Sequence, residues 1–426
     1  MATHKVSKAS RLRGAPVIPG DKSISHRSLI MGALAEGITE IEDILESGDV
    51  RSTASCLQAL GVKISKAGNR TSIHGLGSRG FRAPAGVLDC GNSGTSLRVL
   101  MGVLAGGSIT AQLTGDHSLV RRPMKRVAEP LRLMGARFAL TRDDYAPLTV
   151  TGTPLHGIDY ELKIASAQIK TAILMGGLNA EGITRITGQI HSRDHTERMF
   201  GHFGVKVVCE PESVTIQGGQ KLHSTRLRVP GDPSTAAFWM GAACLVSDSL
   251  IEMEHVSLNP TRIGFIRALE RMGADIRTEF TTQSPEPIGR VMANTSRLKG
   301  VRVEEAEVPS LIDELPLLAV LATQANGVTE VTGAEELRVK ETDRIEAIAT
   351  NLRAMGCEIE VRKDGFRIEG PQRLRGAEVQ SFHDHRIAMA FSIAGLVASG
   401  DTIIHDPECV SISYPEFFNT LEELTR

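Results

Sequence analysis

Aromatic side chains, net charge and long apolar runs are all scarce in this sequence of 426 residues. Aromatics make up 4% of the chain, so a core must be built from aliphatic side chains and close backbone contacts. Lys and Arg total 48 and Asp and Glu total 50, which leaves a formal charge of −2. This balance excludes a general polyanion binder, because such a protein needs a basic excess. A small anionic substrate needs only a local group of cations.

The sequence also shows no pattern typical of a membrane span, a secretory signal or a cysteine motif. The longest apolar run, residues 387–398, is far shorter than the ~20 residues of a membrane-spanning helix, so we expect a buried core helix there. The first 16 residues contain no apolar run typical of a secretory signal, and we expect a cytoplasmic protein. The six cysteines form no C-x-x-C motif, which excludes a zinc ribbon and predicts six buried free thiols.

What the sequence does contain is a repeat. A helix end, a glycine and a short strand recur five times, and glycine at that point supplies the left-handed helix cap. A second recurring segment is rich in Thr and β-branched residues and predicts a strand in the middle of each unit. The glycines are Gly61, Gly135, Gly204, Gly273 and Gly356, and the strand segments begin at Ile38, Ile109, Ile183 and Val328.

A third recurring segment defines the domains. Residues 19–23 (PGDKS) match residues 230–234 (PGDPS), an offset that spans three units of roughly 70 residues. We therefore predict an α/β protein (α+β by some schemes) of two similar domains, each with three repeated helix–strand units. The predicted bounds are 19–228 for the first domain and 1–18 with 229–426 for the second, because the segment before Pro19 is expected to cross back.

Positive side chains recur where the predicted helices begin. Lys and Arg oppose the helix macrodipole at an N terminus, so stability alone disfavours them there. A bound phosphate or carboxylate explains the whole set, whereas pairing with a nearby acid is the alternative for any single member. The cations are Lys22, Arg27, Arg122, Arg193, Lys340, Arg344 and Arg386.

Two carboxylates, Asp313 and Glu341, stand among these cations. Paired carboxylates in an anion site favour divergent pKa values, with one acting as base and the other as acid. Their neighbours Glu314 and Asp343 are expected to point elsewhere and to be solvated or paired.

Other polar residues at predicted helix starts have an ordinary structural interpretation. For Asp49, Ser234 and Asn259 that interpretation is helix N-capping. His191 and His195 lack a third ligand, so we expect neither a metal nor a cofactor.

Eight motifs spread over nearly the whole chain point to one family. They are PGDKSISHR (19–27), GNSGTSLR (91–98), RRPM (121–124), ASAQIKTA (165–172), RDHTERM (193–199), IDELP (312–316), LRVKETDRI (337–345) and DHRIAMA (384–390). Together they resemble the 5-enolpyruvylshikimate-3-phosphate synthase family of enolpyruvyl transferases. The resemblance implies two inside-out α/β barrels that close over the substrates. It also implies transfer of the enolpyruvyl group of phosphoenolpyruvate to the 5-hydroxyl of shikimate 3-phosphate in aromatic amino acid (chorismate) biosynthesis.

The resemblance also assigns residues. Asp313 is the expected proton acceptor, and Glu341 or Lys22 is expected to protonate the methylene carbon. The residues expected to bind shikimate 3-phosphate are Lys22, Ser23, Arg27, Ser166, Ala167, Gln168, Arg193, Asp313 and Lys340. Those expected to bind phosphoenolpyruvate are Lys22, Gly94, Arg122, Gln168, Arg344 and Arg386.

Two other functions are considered as alternatives to this reaction. The related transferase that acts on UDP-N-acetylglucosamine uses a reactive cysteine in a mobile loop, and the comparable residues 114–123 contain none. A ring-shaped clamp around DNA would need a basic face on its helices, which the charge balance disfavours. We expect a monomer that binds small molecules and neither nucleic acid nor a membrane.

Overall fold

The computed structural model describes residues 2–426, which divide into two compact units. One unit is Gly20–Val229, and the other joins the segment up to Pro19 with Pro230–Arg426. The bounds expected from the sequence were 19–228 and 1–18 with 229–426. Within residues 2–426, no helix has both the length and the apolar character needed to cross a bilayer.

Helices and strands alternate along the chain. Within residues 2–426 the α-helices are α1 (Lys22–Leu34), α2 (Gly48–Ala59), α3 (Gly94–Ala105), α4 (Lys125–Leu133), α5 (Ala167–Leu178), α6 (His195–His202), α7 (Pro233–Leu245), α8 (Gly264–Arg271), α9 (Leu315–Gln324), α10 (Arg344–Ala354), α11 (His385–Gly395) and α12 (Phe417–Thr425). The first fifteen strands are β1 (Thr3–Val6), β2 (Arg13–Gly14), β3 (Ala35–Glu42), β4 (Lys63–Ala67), β5 (Arg70–Leu76), β6 (Leu88–Asp89), β7 (Thr110–Thr114), β8 (Arg137–Thr141), β9 (Tyr145–Thr151), β10 (Asp159–Leu162), β11 (Ile183–Gly188), β12 (Val207–Glu210), β13 (Ser213–Gln217), β14 (Leu222–His223) and β15 (Arg226–Arg228). The remaining strands are β16 (Leu250–Ser257), β17 (Ile276–Thr282), β18 (Ile288–Asn294), β19 (Arg302–Val303), β20 (Gly327–Val331), β21 (Glu360–Arg362), β22 (Gly365–Gly370), β23 (Glu378–Gln380) and β24 (Thr402–His405).

The unit Gly20–Val229 repeats one sheet pattern three times in its described residues. The strand orders are β14–β3–β5–β4, with β15 also pairing with β3, then β6–β7–β9–β8 and β10–β11–β13–β12. In each sheet the first pairing is parallel and the next two are antiparallel. The strands predicted from the Thr-rich segments are confirmed, since those segments form β3, β7, β11 and, in the other unit, β20.

Three helices of this unit, α1, α3 and α5, are buried along almost their whole length. Helices α3 and α5 are largely apolar on all sides, which is typical of a helix enclosed by other elements. Gly102 of α3 approaches α5 so closely that an added Cβ would collide with the carbonyl oxygen of Ala172. Close backbone contact thus replaces large aromatic side chains here, as the composition predicted.

The other unit repeats this pattern in two sheets and has a third sheet of three strands; the N-terminal segment supplies two of the strands of this unit. Its sheets have the orders β2–β16–β18–β17, β19–β20–β22–β21 and β1–β24–β23. Strand β2 pairs parallel with β16, and β1 pairs antiparallel with β24. The predicted core helix over residues 387–398 is confirmed, because α11 is buried throughout.

Two further predictions concern single residue types. The five recurring glycines all have a left-handed backbone, with φ between 80° and 104°, so the predicted helix caps are confirmed. The prediction of six buried thiols is wrong for Cys209, which is exposed, whereas the other five cysteines are buried. Cys209 lies on β12, the edge strand of its sheet, and that position leaves its side chain open to solvent.

Candidate active site

Capped helix N termini form the framework of the candidate site in the unit Gly20–Val229. The side chains of Asp21, Ser93 and Ser166 precede α1, α3 and α5, and each accepts a hydrogen bond from a backbone amide of the first turn. These caps mark the starts of the three helices. The first residues of the helices are Lys22, Gly94 and Ala167, and all three belong to the predicted binding sets.

Lys22 lies next to a carboxylate of the following helix. Its Nζ is 3.0 Å from Oδ2 of Asp49, and the two side chains are 18% and 10% exposed. The predicted N-cap role of Asp49 is wrong: Ser47 occupies the N-cap of α2, and Asp49 lies in its first turn. The carboxylate of Asp49 instead holds the Lys22 ammonium at the start of α1.

Arg27 and Arg193 are placed by neutral oxygens. Arg27 donates through Nε to the Thr196 hydroxyl and through Nη2 to the Thr171 hydroxyl, both at 2.8 Å. Its Nη1 donates to the carbonyl oxygen of Ser23 at 3.0 Å. Arg193 donates to the Ser23 hydroxyl at 3.3 Å. These hydrogen bonds orient both guanidinium groups near the start of α1.

Gly94 faces two further guanidinium groups. A Cβ added at Gly94 would lie 3.2 Å from Nη1 of Arg98 and 3.5 Å from Nη1 of Arg122, so the glycine leaves space beside both cations. Arg98 also donates to Oε1 of Gln168, whose Nε2 donates to the Thr95 hydroxyl at 3.0 Å. Gly94, Arg122 and Gln168 are therefore brought together with Arg98, which the sequence-based set did not include.

Arg122 is held from the opposite side by a loop. Its Nη2 donates to Oδ1 of Asn92 at 3.0 Å and to the Ser118 hydroxyl at 3.1 Å. Arg122 is 8% exposed, so this charged group is fixed in a mostly buried position.

A buried chain of side-chain hydrogen bonds joins the first three helices of the unit. Nδ1 of His26 lies 2.7 Å from the Thr53 hydroxyl, which contacts the Ser96 hydroxyl at 2.5 Å. Ser96 in turn donates to the hydroxyl of the N-cap residue Ser93 at 2.7 Å. Burial, with a smaller effect of the nearby Lys22 and Arg27 charges, holds the pKa of His26 well below its usual value. The His26 imidazole is therefore uncharged and acts as one member of this hydrogen-bond chain.

In the unit that contains Pro230–Arg426, the candidate site centres on Arg344. This buried arginine donates through Nε to Asp384 at 2.8 Å, through Nη2 to Glu341 at 2.8 Å and through Nη1 to Asp313 at 3.1 Å. Nζ of Lys340 lies 3.8 Å from Oδ1 of Asp313. Burial works against the charge, but the carboxylates of Asp384, Glu341 and Asp313 together raise the pKa of Arg344.

Arg386, in the first turn of α11, has a different environment. Nη1 of Arg386 is 3.9 Å from Oε1 of Glu314, which is beyond hydrogen-bond distance. Glu314 was expected to be solvated or paired; it is buried, at 4% exposure, beside this arginine. Burial raises the pKa of Glu314, while the Arg386 charge opposes that rise. Asp343, the other expected bystander, is the N-cap of α10 and accepts a hydrogen bond from Arg338 at 2.7 Å.

The N-cap predictions for Ser234 and Asn259 are wrong as well. Asp232 is the N-cap of α7, and Ser234 accepts a hydrogen bond from Arg262 at 2.9 Å. Asn259 lies before α8 and donates its amide to Glu286 at 2.9 Å. Residues of the capping type next to a helix were mistaken for the capping residue itself.

Sequence reasoning also missed several residues that hold the predicted ones. Arg98 follows Gly94 by one helical turn, a spacing that puts both on one face and could have identified it. Thr171 and Thr196 lie inside quoted motifs, yet only the fold brings both to Arg27. Asp384 precedes α11 and was recognisable as a cap, but not as a partner of Arg344. Within residues 2–426, no group of three or more His, Cys, Asp or Glu side chains is arranged to hold a metal ion.

Comparison with known proteins identifies the family. The family model that matches residues 6–421 is described as EPSP synthase (3-phosphoshikimate 1-carboxyvinyltransferase). The 3-phosphoshikimate 1-carboxyvinyltransferase of Persephonella marina is 46% identical over 99% of both chains, and that of Chloroflexus aurantiacus is 48% identical over 96% of both. The solved structure of EPSP synthase from Acinetobacter baumannii has a TM-score of 0.88 at 42% identity and covers 99% of this chain and 98% of its own. With matches of this length and identity, the chain belongs to the EPSP synthase family of transferases.

Proposed function

We propose that this protein transfers the enolpyruvyl group of phosphoenolpyruvate to the 5-hydroxyl of shikimate 3-phosphate and releases inorganic phosphate. The observation that carries the proposal is the arrangement around Arg344, which contacts both Asp313 and Glu341 while Lys340 lies beside Asp313. Such a transfer needs a base for the hydroxyl, an acid for the enol carbon and cations for two anionic substrates. Full-length membership of the family supports the same reaction.

Shikimate 3-phosphate is assigned first to residues of the unit Gly20–Val229. Lys22, Arg27 and Arg193 supply positive charge for its phosphate, and each charge-assisted hydrogen bond contributes about 1.5–3 kcal/mol; Arg193 reaches Ser23 at the start of α1. Ser23 and the start of α5 supply polar contacts; at Ala167 only the backbone can do so. The full proposed set is Lys22, Ser23, Arg27, Ser166, Ala167, Gln168, Arg193, Asp313 and Lys340.

Phosphoenolpyruvate is assigned to the cations around Gly94 and to two arginines of the other unit. The space beside Gly94 is lined by guanidinium nitrogens, as an incoming phosphate or carboxylate requires. Arg386 has a buried Nη1 with no hydrogen-bond partner among residues 2–426, and an anionic oxygen would satisfy it. The full proposed set is Lys22, Gly94, Arg122, Gln168, Arg344 and Arg386.

The proposed reaction is an addition followed by an elimination. Glu341 or Lys22 gives a proton to the methylene carbon, and the 5-hydroxyl oxygen bonds to the central carbon as Asp313 takes the hydroxyl proton. The resulting tetrahedral adduct then returns a proton from its new methyl group to the residue that donated it, Glu341 or Lys22, as the C–O bond to phosphate breaks and phosphate leaves. The surrounding cations stabilise the charge on the leaving phosphate, so these steps use only the side chains named here.

The proposal also covers the fold of each unit, the oligomeric state and the cellular location. Each unit is taken to be an inside-out barrel, with its sheets outside buried helices, as the burial of α1, α3 and α5 supports. We propose that the protein acts as a monomer in the cytoplasm.

Phosphate release tests the function directly. The purified protein is mixed with phosphoenolpyruvate and either shikimate 3-phosphate or UDP-N-acetylglucosamine. Release is expected only with shikimate 3-phosphate, and release with the nucleotide sugar alone would overturn the assignment.

A further inference from the structure

A buried ion pair that has no part in the proposed binding set links two helices of the unit Gly20–Val229. Nζ of Lys170, in α5, is 2.7 Å from Oε1 of Glu197, in α6. The two side chains are 3% and 5% exposed, so both charges lie away from solvent. A buried pair of this kind is weak evidence for stability, since apolar replacements of similar volume often leave a protein equally stable. Its location therefore calls for another explanation.

Lys170 also binds the loop that runs from β11 to α6. Its Nζ donates to the carbonyl oxygen of Ile190 at 3.0 Å and to that of Ser192 at 3.4 Å. Within the loop, the amide of Ile190 donates to Gly188 and the amide of Ser192 donates to Ile190, at 2.7 and 2.8 Å. These are two consecutive three-residue turns. One ammonium group thus holds the carbonyl oxygens of a tightly folded segment.

The residue after this segment is Arg193. Its guanidinium reaches Ser23 at the start of α1, at 3.3 Å. On the far side of the loop, Thr196 and Thr171 lie 2.6 Å apart and both accept hydrogen bonds from Arg27. The backbone position of residues 190–192 therefore fixes where the Arg193 side chain starts. Sub-ångström placement of such a group matters, because a shift of about 1 Å can cost up to ~100-fold in rate.

We infer that Lys170 and Glu197 are positioning residues for Arg193: Glu197 holds the Lys170 ammonium, and Lys170 holds the loop that presents Arg193 to the phosphate of shikimate 3-phosphate. This inference rests on the proposed function, because it assigns Arg193 to that substrate. Neither residue belongs to the proposed binding set or to the proposed acid and base groups.

The test is a double replacement that removes both charges together. Lys170→Met with Glu197→Met leaves no unpaired buried charge, so the variant is expected to fold, but the loop carbonyls lose their donor. The KM for shikimate 3-phosphate is expected to rise about tenfold, with kcat and the KM for phosphoenolpyruvate within twofold of wild type. A higher KM with an unchanged kcat means that the lost interaction stabilised the bound substrate and the transition state equally. The matched control is Lys163→Met with Glu161→Met, an exposed ion pair of the same unit, which is expected to leave all three constants unchanged.

A folded double variant with an unchanged KM for shikimate 3-phosphate overturns the inference. If that variant does not fold, Lys170→Gln with Glu197→Gln keeps a polar contact between the helices, but the shorter side chain cannot reach both carbonyl oxygens. It is expected to raise the same KM severalfold, and an unchanged value would again overturn the inference.

Hydrogen exchange separates this inference from the proposed function. The backbone amides of Ile190 and Ser192 are expected to exchange faster in the double variant than in wild type, and this readout needs no substrate. If wild type releases no phosphate with shikimate 3-phosphate, the proposed function fails, while exchange still reports on the loop. If wild type is active but neither exchange nor KM changes in the variant, the positioning role alone fails.

Discussion

Arg27 and Arg344 show two ways in which this protein holds a buried guanidinium. Arg27, in the unit Gly20–Val229, donates to hydroxyls and a carbonyl oxygen, which are neutral. Arg344, in the other unit, donates to the carboxylates of Asp313, Glu341 and Asp384. The hydrogen bonds of Arg27 thus join α1 to α5 and α6, whereas Arg344 gathers three carboxylates around one guanidinium. The comparison shows that the same side chain can link neighbouring helices or fix the positions of acidic groups.

The largest effect is expected at the acid and base groups. Asp313→Ala removes the proposed proton acceptor, so kcat is expected to fall ~100-fold or more while both substrates still bind. Steady-state kinetics and calorimetric titration measure the two quantities. Asp248→Asn, which removes an exposed carboxylate charge of the same unit and suits the left-handed backbone at that position, is the control. Near-normal turnover in Asp313→Ala would remove this residue from the mechanism.

Replacing Lys22 tests whether the unit Gly20–Val229 binds the anionic substrates. Lys22→Ala is expected to raise the KM for both substrates at least tenfold and to lower kcat, because one ammonium is assigned to both anions and, as the alternative to Glu341, to the proton transfer. Kinetics with each substrate varied in turn check this. Unchanged affinity for both substrates would show that the cations of this unit are not arranged for anion binding.

Asp384→Asn distinguishes charge from position at Arg344. Asn caps helices as well as Asp does, so α11 is expected to keep its N-cap while Arg344 loses one of its three carboxylates. We expect kcat/KM for phosphoenolpyruvate to fall about tenfold, with an unfolding midpoint close to wild type. If the unfolding midpoint falls together with kcat/KM, Asp384 contributes to activity by stabilising α11 and not by its charge beside Arg344.

The two units should also respond differently to pH. His26 has a lowered pKa because it is buried, so below about pH 6.5 the unfolded chain takes up a proton that the folded chain does not. Stability is therefore lost as the pH falls from 6.5 towards the lowered pKa, by up to ~1.4 kcal/mol per pH unit. His26→Gln is expected to lack this part of the slope in thermal unfolding between pH 5.5 and 7.5. An identical slope in variant and wild type would contradict the assignment.

The contribution of Glu314 to folding stability depends on pH in the opposite direction, and we expect a smaller effect. Its pKa is raised by burial, so the folded chain holds a proton that the unfolded chain has already released above its ordinary pKa. The associated stability is present at low pH and is lost as the pH rises through the raised pKa. Relative to wild type, Glu314→Gln should therefore gain thermal stability as the pH rises from 4.5 to 7. A constant difference across that range would show that the carboxylate is ionised throughout.

Local patterns accounted for most of the successful predictions. The glycine caps, the Thr-rich strands and the buried α11 each depend on a few neighbouring residues, so a short segment suffices to recognise them. The N-cap assignments failed at Asp49, Ser234 and Asn259 because a residue of the capping type can lie near a helix start without occupying the N-cap position. The type of a single residue does not fix the exact start of a helix.

The sequence by itself determined the repeat, the family of the chain and the placement of Lys22, Arg344 and Arg386 in the first turn of a helix. It could do so because helix starts, caps and motifs are encoded within a few residues. The same prediction of a helix N terminus is wrong for Arg27, which lies in the second turn of α1, and for Arg122 and Lys340, which precede α4 and α10 by three and four residues. Only the tertiary structure decided that Lys22 meets Asp49 across 27 residues and that Arg344 meets Asp384 across 40. Such pairs depend on how separate helices pack, and no spacing along the chain specifies which acid reaches which base.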